Sequence, residues 1–231
     1  VTDDVMTSAF SSAGQRCSAL RVLYLQDSIA DKVIEMLKGA LAERQIGDPL
    51  DLATDVGPVI NIQSRAGLEK HIERMHKEAK LIAKGRVPAG LENGSYLAPH
   101  IFEIPALSTL KDEEFGPILH VIRYAPQDIE KVMAEIGETG FGLTFGIHSR
   151  IEGYWLDLFA KNAVGNTYVN RNMIGAVVGV QPFGGMGLSG TGPKAGGPHY
   201  MLRFATEKIL TINTAAIGGN TELFRLNECD D

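Results

Sequence analysis

The sequence predicts an α/β fold, an open and largely parallel twisted sheet flanked by helices. Three observations carry that prediction. Short β-branched, aromatic and leucine runs of strand length alternate with longer stretches of helical apolar spacing along nearly the whole chain. No internal repeat competes with that alternation. At 231 residues, 44% of them apolar, the chain can also bury a sizeable core.

The elements follow in order. "VTDDVMTSAF" places Val5, Met6, Ala9, Phe10 and Ala13 at helical spacing, so the chain is expected to begin inside an amphipathic helix and to be a piece of a longer protein. "LRVLYLQ" reads as a strand. Asp27 or Ser28 then caps a helix whose apolar face is Ile29, Val33, Met36, Leu37, Ala40 and Leu41, stopped by Gly47, Asp48 and Pro49. "IGDPLDLATDVGPVIN" is an irregular connection. A second helix runs from about Ile62 to Ala79 with a solvated, mixed-charge outer face, and "KLIAKG" is a short strand after it. "YLAPHIFEI" and "ILHVIRYA" are strands, and "PQDIEKVMAEIGET" is a helix opened by proline and acids. "FGLTFGIHS" reads as one strand, "EGYWLDLFAKNA" as a helix and "GNTYVNR" as a strand. "TEKILTIN" closes the ordered pattern, and the tail from Ala215 loses periodicity. The expected organisation is one domain over residues 1–214 and a tail or linker over 215–231.

Charge and composition narrow the function. A net charge of -6, with no basic block, argues against a nucleic-acid or anionic-membrane surface. No apolar run approaches a membrane span. Two cysteines, Cys17 and Cys229, define neither a disulfide framework nor a zinc site, so free thiols in a reducing, cytoplasmic compartment are expected. His71 and His76 stand five apart on a charged helix and do not share a face, and the other four histidines are scattered. Each is read as a satisfied surface or core residue, and no metal is expected.

Three motifs carry chemistry. In "FSSAGQRC" a lone cysteine ends a small-residue run. Gly14 permits close backbone approach, and Arg16 adds positive potential if its side chain points toward the thiol. On these features a structural thiol and a nucleophile stand level. In "KDEEFGPIL", Asp112, Glu113 and Glu114 read as a solvated acidic turn, although a carboxylate beside an aromatic ring also suits a ribose diol and a flat heterocycle. Residues 175–197 hold nine of the chain's 26 glycines. Gly185, Gly187 and Gly190 match GxGxxG, but prolines bracket them and no helix start follows, so a glycine-built loop shaping a pocket is the better reading.

Taken in order, these motifs resemble the catalytic half of the aldehyde dehydrogenase superfamily over roughly Thr7 to Asn213. "FSSAGQRC" resembles its cysteine signature, "EEFGP" its acidic-aromatic coenzyme motif, and "FGLTFGIHS" and "GNTYVNRN…PFGGMGLSGTG" its later segments. "NRNMIGAVVGVQPFGGMGLSGTGPKAGGPHY" is similar to L-glutamate gamma-semialdehyde (pyrroline-5-carboxylate) dehydrogenases, most of all to the dehydrogenase module of the bifunctional proline utilisation A type. There the module follows a flavin-dependent proline dehydrogenase domain, so FAD would belong to a part of the parent not present here.

The resemblance implies NAD-dependent oxidation of L-glutamate gamma-semialdehyde to L-glutamate in proline catabolism. Cys17 would be the nucleophile, passing through a thiohemiacetal and a thioester, and its backbone N–H would hold the oxyanion. Glu114 would accept hydrogen bonds from the nicotinamide ribose, and Phe115 would pack near the nicotinamide. Ser18 and the backbone N–H groups of Gly175 and Ala176 would grip the substrate carboxylate, with Phe183 along its aliphatic stem. The family's dinucleotide-binding domain and deacylating glutamate lie upstream of such a cysteine, so the chain alone is expected to have no turnover. A homo-oligomeric parent is expected. The alternatives are a dehydrogenase for another semialdehyde, such as succinic semialdehyde, and a non-catalytic assembly domain.

Overall fold

The computed structural model describes residues 1–213, which fall into two compact units, one over Val1–Gly197 and one beginning at Pro198. Within the first, helix α1 (Thr2–Phe10) leads through a 3-10 turn, Ser11–Gly14, to strand β1 (Val22–Gln26) and helix α2 (Asp27–Ala42). Helix α3 (Ile62–Glu78) is followed by strands β2 (Lys80–Lys84), β3 (His100–Glu103) and β4 (Ile118–Tyr124). Then come helix α4 (Ile129–Glu138), strands β5 (Phe141–Gly142) and β6 (Thr144–Ile147), helix α5 (Glu152–Lys161), and strands β7 (Asn166–Val169) and β8 (Met186–Gly187).

The main sheet has the order β1-β4-β3-β2. β4 pairs in parallel with both neighbours, Val22 opposite His120 on one side and His100 opposite Ile118 on the other. Only the edge strand β2 is antiparallel, with a bulge between Leu81 and Ala83. The apolar run of β4 explains its place: Ile118, Leu119, Val121 and Ile122 are all buried, as a strand covered on both faces requires. Helices supply the covers. Val5, Met6, Ala9 and Phe10 of α1, Leu37 and Leu41 of α2, and Leu68 and Met75 of α3 join one continuous core with β3 and β4. Burying each such side chain contributes roughly 1.5–3 kcal/mol.

Two expectations about α2 are corrected. Neither Asp27 nor Ser28 caps it; Gln26 occupies the N-cap position and its Nε2 donates to Ser28 Oγ at 2.7 Å. The buried face is Ala30, Val33, Ile34, Leu37 and Leu41, while Ile29 and Met36 are exposed. The apolar pattern was wide enough for two adjacent stripes, and small Ala30 brings the second one to the core. α3 behaves as its sequence suggests, with Asn61 Oδ1 accepting from the Ser64 N–H at 2.8 Å at its start. The connection before it is irregular, but its Ile46, Val56 and Val59 are buried core residues.

The later part is built differently. "FGLTFGIHS" is not one strand: β5 pairs antiparallel with β8, whereas β6 pairs in parallel with β7. The chain breaks between them because the Gly142 N–H turns to Ser189 Oγ, 3.0 Å away. In the second unit, Met201–Phe204 forms a 3-10 turn and residues 206–213, "TEKILTIN", hold no helix or strand. The expected tail from Ala215 lies outside the described residues. Among the described residues no helix is long and apolar enough to cross a membrane.

Candidate active site

The cysteine loop is a strained turn. Ser12, Ala13 and Gly14 are all left-handed, with φ of 55°, 53° and 65°. For the two non-glycine residues this costs of order 1 kcal/mol or more each, which the surroundings must over-determine. They do so through buried Phe10 and Ala13 beneath and through Gln15 above, whose Nε2 donates to Pro58 O at 3.2 Å and whose Oε1 accepts from the Ile60 N–H at 2.7 Å. Gly14 has no alternative: a Cβ there would lie 2.3 Å from Gly116 O and 2.8 Å from Ala9 O. The turn delivers Cys17 to the surface as a free thiol, with Ser18 buried directly after it. A thiol that merely filled the core would be buried; this one is exposed.

The Gly14–Gly116 contact means that the "GQRC" and "EEFGP" loops touch backbone to backbone. Arg21 stitches them. Its Nη1 donates to Gly14 O at 2.6 Å and Gly116 O at 3.3 Å, its Nη2 to Arg16 O at 3.2 Å, and its Nε pairs with Glu113 at 3.0 Å. Its guanidinium also lies 4.8 Å from the Phe115 ring centroid. Burial pushes the Arg21 guanidinium below its ordinary value, and Glu113, Cys17 and Glu114 oppose that shift. Arg16, the cation beside the thiol in sequence, turns its Nε to Ser12 Oγ, 3.1 Å away.

The three acids have separate fates. Asp112 is solvated, Glu113 pairs with Arg21, and Glu114 Oε1 lies 2.8 Å from Nδ1 of His71, a buried residue of α3. The solvated-turn reading thus holds for Asp112, and for Glu113 in that it stays exposed beside Arg21, but not for Glu114. His71 Nε2 in turn meets His120 Nε2 at 2.9 Å, and His120 Nδ1 meets Arg21 O at 3.1 Å. The histidines are less scattered in space than in sequence, since this pair leads to Glu114. Burial pushes His120 and His100 each down to about 4, so both are neutral near pH 7. Among the described residues no cluster suited to a metal ion occurs.

The glycine-rich segment is attached by polar clips. The Met173 N–H donates to Ser8 Oγ at 3.1 Å, tying the segment to α1 just before the cysteine turn. Asn166 of β7 donates from Nδ2 to Pro182 O at 3.0 Å and accepts at Oδ1 from the Gly184 N–H at 3.1 Å. Phe183 is half-buried and pairs with Ala195 through two backbone hydrogen bonds of 3.0 Å, closing the loop between them. Gly175 is exposed and Ala176 half-buried. Gly187 sits in a two-residue strand and no helix opens at Gly190, so the GxGxxG match is not a dinucleotide fingerprint.

Cys17, Ser18, Glu114 and Phe115 are thus gathered by Arg21 and the Gly14–Gly116 contact. Met173, just before Gly175 and Ala176, is tethered to α1, and Phe183 belongs to a separately closed loop. Arg21, the His71–His120 pair, Ser8 and Asn166 escaped the sequence reading. Arg21 carried one legible signal, a charge immediately before an apolar strand. An open cleft of about 560 Å³, lined by residues including Arg65, Glu73, His76, Tyr96 and His100, lies on the β2 side of α3 and contains none of the site residues.

The chain belongs to the aldehyde dehydrogenase family, whose sequence model matches residues 1–210. It is 47% identical over 213 residues to the bifunctional protein PutA of Escherichia coli, a match covering 90% of this chain and 16% of that protein. A crystal structure of a proline utilization A (PutA) mutant from Bradyrhizobium japonicum superposes with a TM-score of 0.88 at 58% identity, covering 94% of this chain and 22% of that one. A 1-pyrroline-5-carboxylate dehydrogenase from Thermus, solved with bound NAD, superposes with a TM-score of 0.80 at 34% identity, covering 88% and 39%. The chain thus spans well under half the length of these relatives.

Proposed function

We propose that the chain is the cysteine-bearing catalytic domain of an NAD-dependent dehydrogenase that oxidises L-glutamate gamma-semialdehyde to L-glutamate. The observation that carries this reading is the locked pair of loops: an exposed Cys17 on a strained turn, fixed by backbone contact and by Arg21 to the loop bearing Glu114 and Phe115. The similarity to PutA and to 1-pyrroline-5-carboxylate dehydrogenase supports the choice of substrate. On this proposal the chain serves proline catabolism as one part of a longer bifunctional enzyme, and that enzyme acts in the cytoplasm as a homo-oligomer.

The residues present suit the nicotinamide-ribose end of NAD. Glu114 has one oxygen against His71, and its other oxygen has no partner among the described residues, leaving an acceptor for a diol. Phe115 is 44% exposed, with Arg21 on one side of its ring and the rest open to a flat heterocycle. Bound NAD supplies the hydride acceptor.

This chain's own residues do the remaining work. The Cys17 thiolate adds to the aldehyde carbon, forming a C–S bond and moving the carbonyl electron pair onto oxygen. The Cys17 backbone N–H, which has no partner among the described residues, is available to that oxyanion. Loss of hydride restores the C=O as a thioester; water then cleaves the C–S bond, giving the carboxylate and returning the thiol. The N–H groups of Gly175 and Ala176 also lack partners among the described residues, so they can hold the α-carboxylate as a backbone nest, with Ser18 as a further proposed contact. Phe183 lines the aliphatic stem. With no dinucleotide fingerprint in it, the 231-residue chain alone is expected to give no NADH.

The test is NADH formation by the complete protein with pyrroline-5-carboxylate, succinic semialdehyde and propanal, beside a Cys17→Ala control. Strong preference for the first, lost in the control, supports the reading. Equal rates would remove the carboxylate nest, and activity surviving without Cys17 would remove the nucleophile.

A further inference from the structure

Three groups meet behind the cofactor-facing carboxylate, and their bonding capacities fix where the protons lie. Arg21 O can only accept, so His120 Nδ1, 3.1 Å away, must carry a hydrogen. His120 is buried and neutral, its protonation pushed down to about 4 by burial, so its Nε2 presents a lone pair. The contact of 2.9 Å between the two Nε2 atoms then requires His71 to be the donor. That leaves His71 Nδ1 facing Glu114 Oε1 at 2.8 Å, where a nitrogen lone pair and a carboxylate oxygen would repel unless one proton lies between them.

The other charges around the pair do not displace that proton. Arg74, one turn along α3, holds its Nη1 on Glu78 at 2.7 Å and Thr109 O at 3.0 Å, and its Nη2 stays 3.3 Å from His71 Nδ1, farther than Glu114 Oε1 at 2.8 Å. Arg21 is held by Glu113 and by three carbonyls.

We propose that His71 is a positioning residue for Glu114. Through the proton shared between His71 Nδ1 and Oε1, with His120 and Arg21 O fixing the tautomer behind it, His71 sets the carboxylate so that its second oxygen faces the ribose diol. The inference rests on the ribose-binding reading of Glu114. It places a specificity for NAD geometry in α3 and β4, 43 residues before and six residues after the carboxylate in the chain.

The test reads NAD dissociation constants of the complete protein by calorimetry, with no turnover involved. An asparagine amide overlies the Nδ1 position of histidine and a glutamine amide the Nε2 position. His71→Asn therefore keeps a donor toward Glu114, and His71→Gln keeps only the contact to His120. Both are polar and of similar size, so a packing role would treat them alike. Binding is expected to weaken about tenfold in His71→Gln, the scale of one charge-assisted contact, and to stay within about twofold in His71→Asn. In a Glu114→Gln background the His71→Gln effect should vanish. Equal losses in the two His71 variants, or a His71→Gln loss that persists without the carboxylate, would overturn the positioning role alone. Unchanged binding in Glu114→Gln by itself would overturn the ribose reading and the inference built on it.

Discussion

The first 124 residues and the stretch from 125 to 197 hold their parts of the site by different means. In the first, the loops of Cys17 and Glu114 stand on one continuous core of α1, α2, α3 and the four-stranded sheet, and they meet backbone to backbone. In the second, strands are two to four residues long, and the glycine-rich segment is fastened by hydrogen bonds from the Met173 N–H to Ser8, between Asn166 and the Pro182–Gly184 stretch, and from Lys194 to Gly165 O. The contrast matches the chemistry proposed for each. On that proposal a nucleophile and a coenzyme carboxylate need a fixed separation, whereas a backbone nest for a carboxylate needs exposed N–H groups that no regular element consumes.

The sharpest way to break this comparison is to add one methyl group to each region. Gly14→Ala puts a Cβ against two backbone carbonyls at a positive φ, inside the core-backed turn. It should cost about 4 kcal/mol or more in unfolding stability. Gly165→Ala meets Gly184 O at 1.9 Å, a closer clash on paper. Its opponent sits in a clipped loop that can shift outward, so a cost of about 1–2 kcal/mol is expected. Thermal unfolding with hydrogen exchange resolved by peptide would read both. A larger loss for Gly165→Ala would mean that the glycine-rich segment is as rigidly backed as the cysteine turn.

Acid should separate the regions next. His100 and His120 are buried in the main sheet, and burial lowers each from 6.5 to about 4. Between these values the unfolded chain binds more protons than the folded one. Their neutral burial therefore supports the fold fully above about pH 6.5, and that support drains away as pH falls toward 4. The loss is about 3 kcal/mol for each histidine as an upper figure. Hydrogen exchange should accelerate in β3 and β4 before β6 and β7 as pH is lowered from 7 to 4.5. His100→Gln should flatten part of that dependence.

Smaller effects sharpen the contrast. Asn166→Ala removes both bonds to the Pro182–Gly184 stretch and should cost about 2 kcal/mol. If this region serves the substrate, it should raise KM for the semialdehyde more than KM for NAD. Met36→Ala, on the exposed side of α2, should change the melting temperature little, within about 0.5 kcal/mol. Leu37→Ala beside it should cost about 2–5 kcal/mol.

How much of this was legible in the sequence follows the same division. Helices and strands of the core region are written in local patterns of seven or more residues, so α1, α3, β1 and β4 could be read directly. The face of α2 could not, because its apolar residues fill two stripes and only packing chooses between Ile29 and Ala30. "FGLTFGIHS" has the composition of one strand, yet the partners that split it, Met186 and Ser189, lie more than forty residues on. The motifs around Cys17 and Glu114 were visible as local clusters. What joins them was not: Arg21 and Glu113 are 92 residues apart, and His71 and His120 are 49 apart. A periodicity within one segment carries no record of such partners.

The central claim is that Cys17 carries the acyl group. The direct measurement is mass spectrometry of the complete protein quenched in acid during turnover with pyrroline-5-carboxylate and NAD. A glutamyl thioester on the peptide containing Cys17, absent when NAD is omitted and absent in Cys17→Ala, is the expected result. Steady turnover with no adduct at Cys17, or with the adduct at Cys229, would contradict the account.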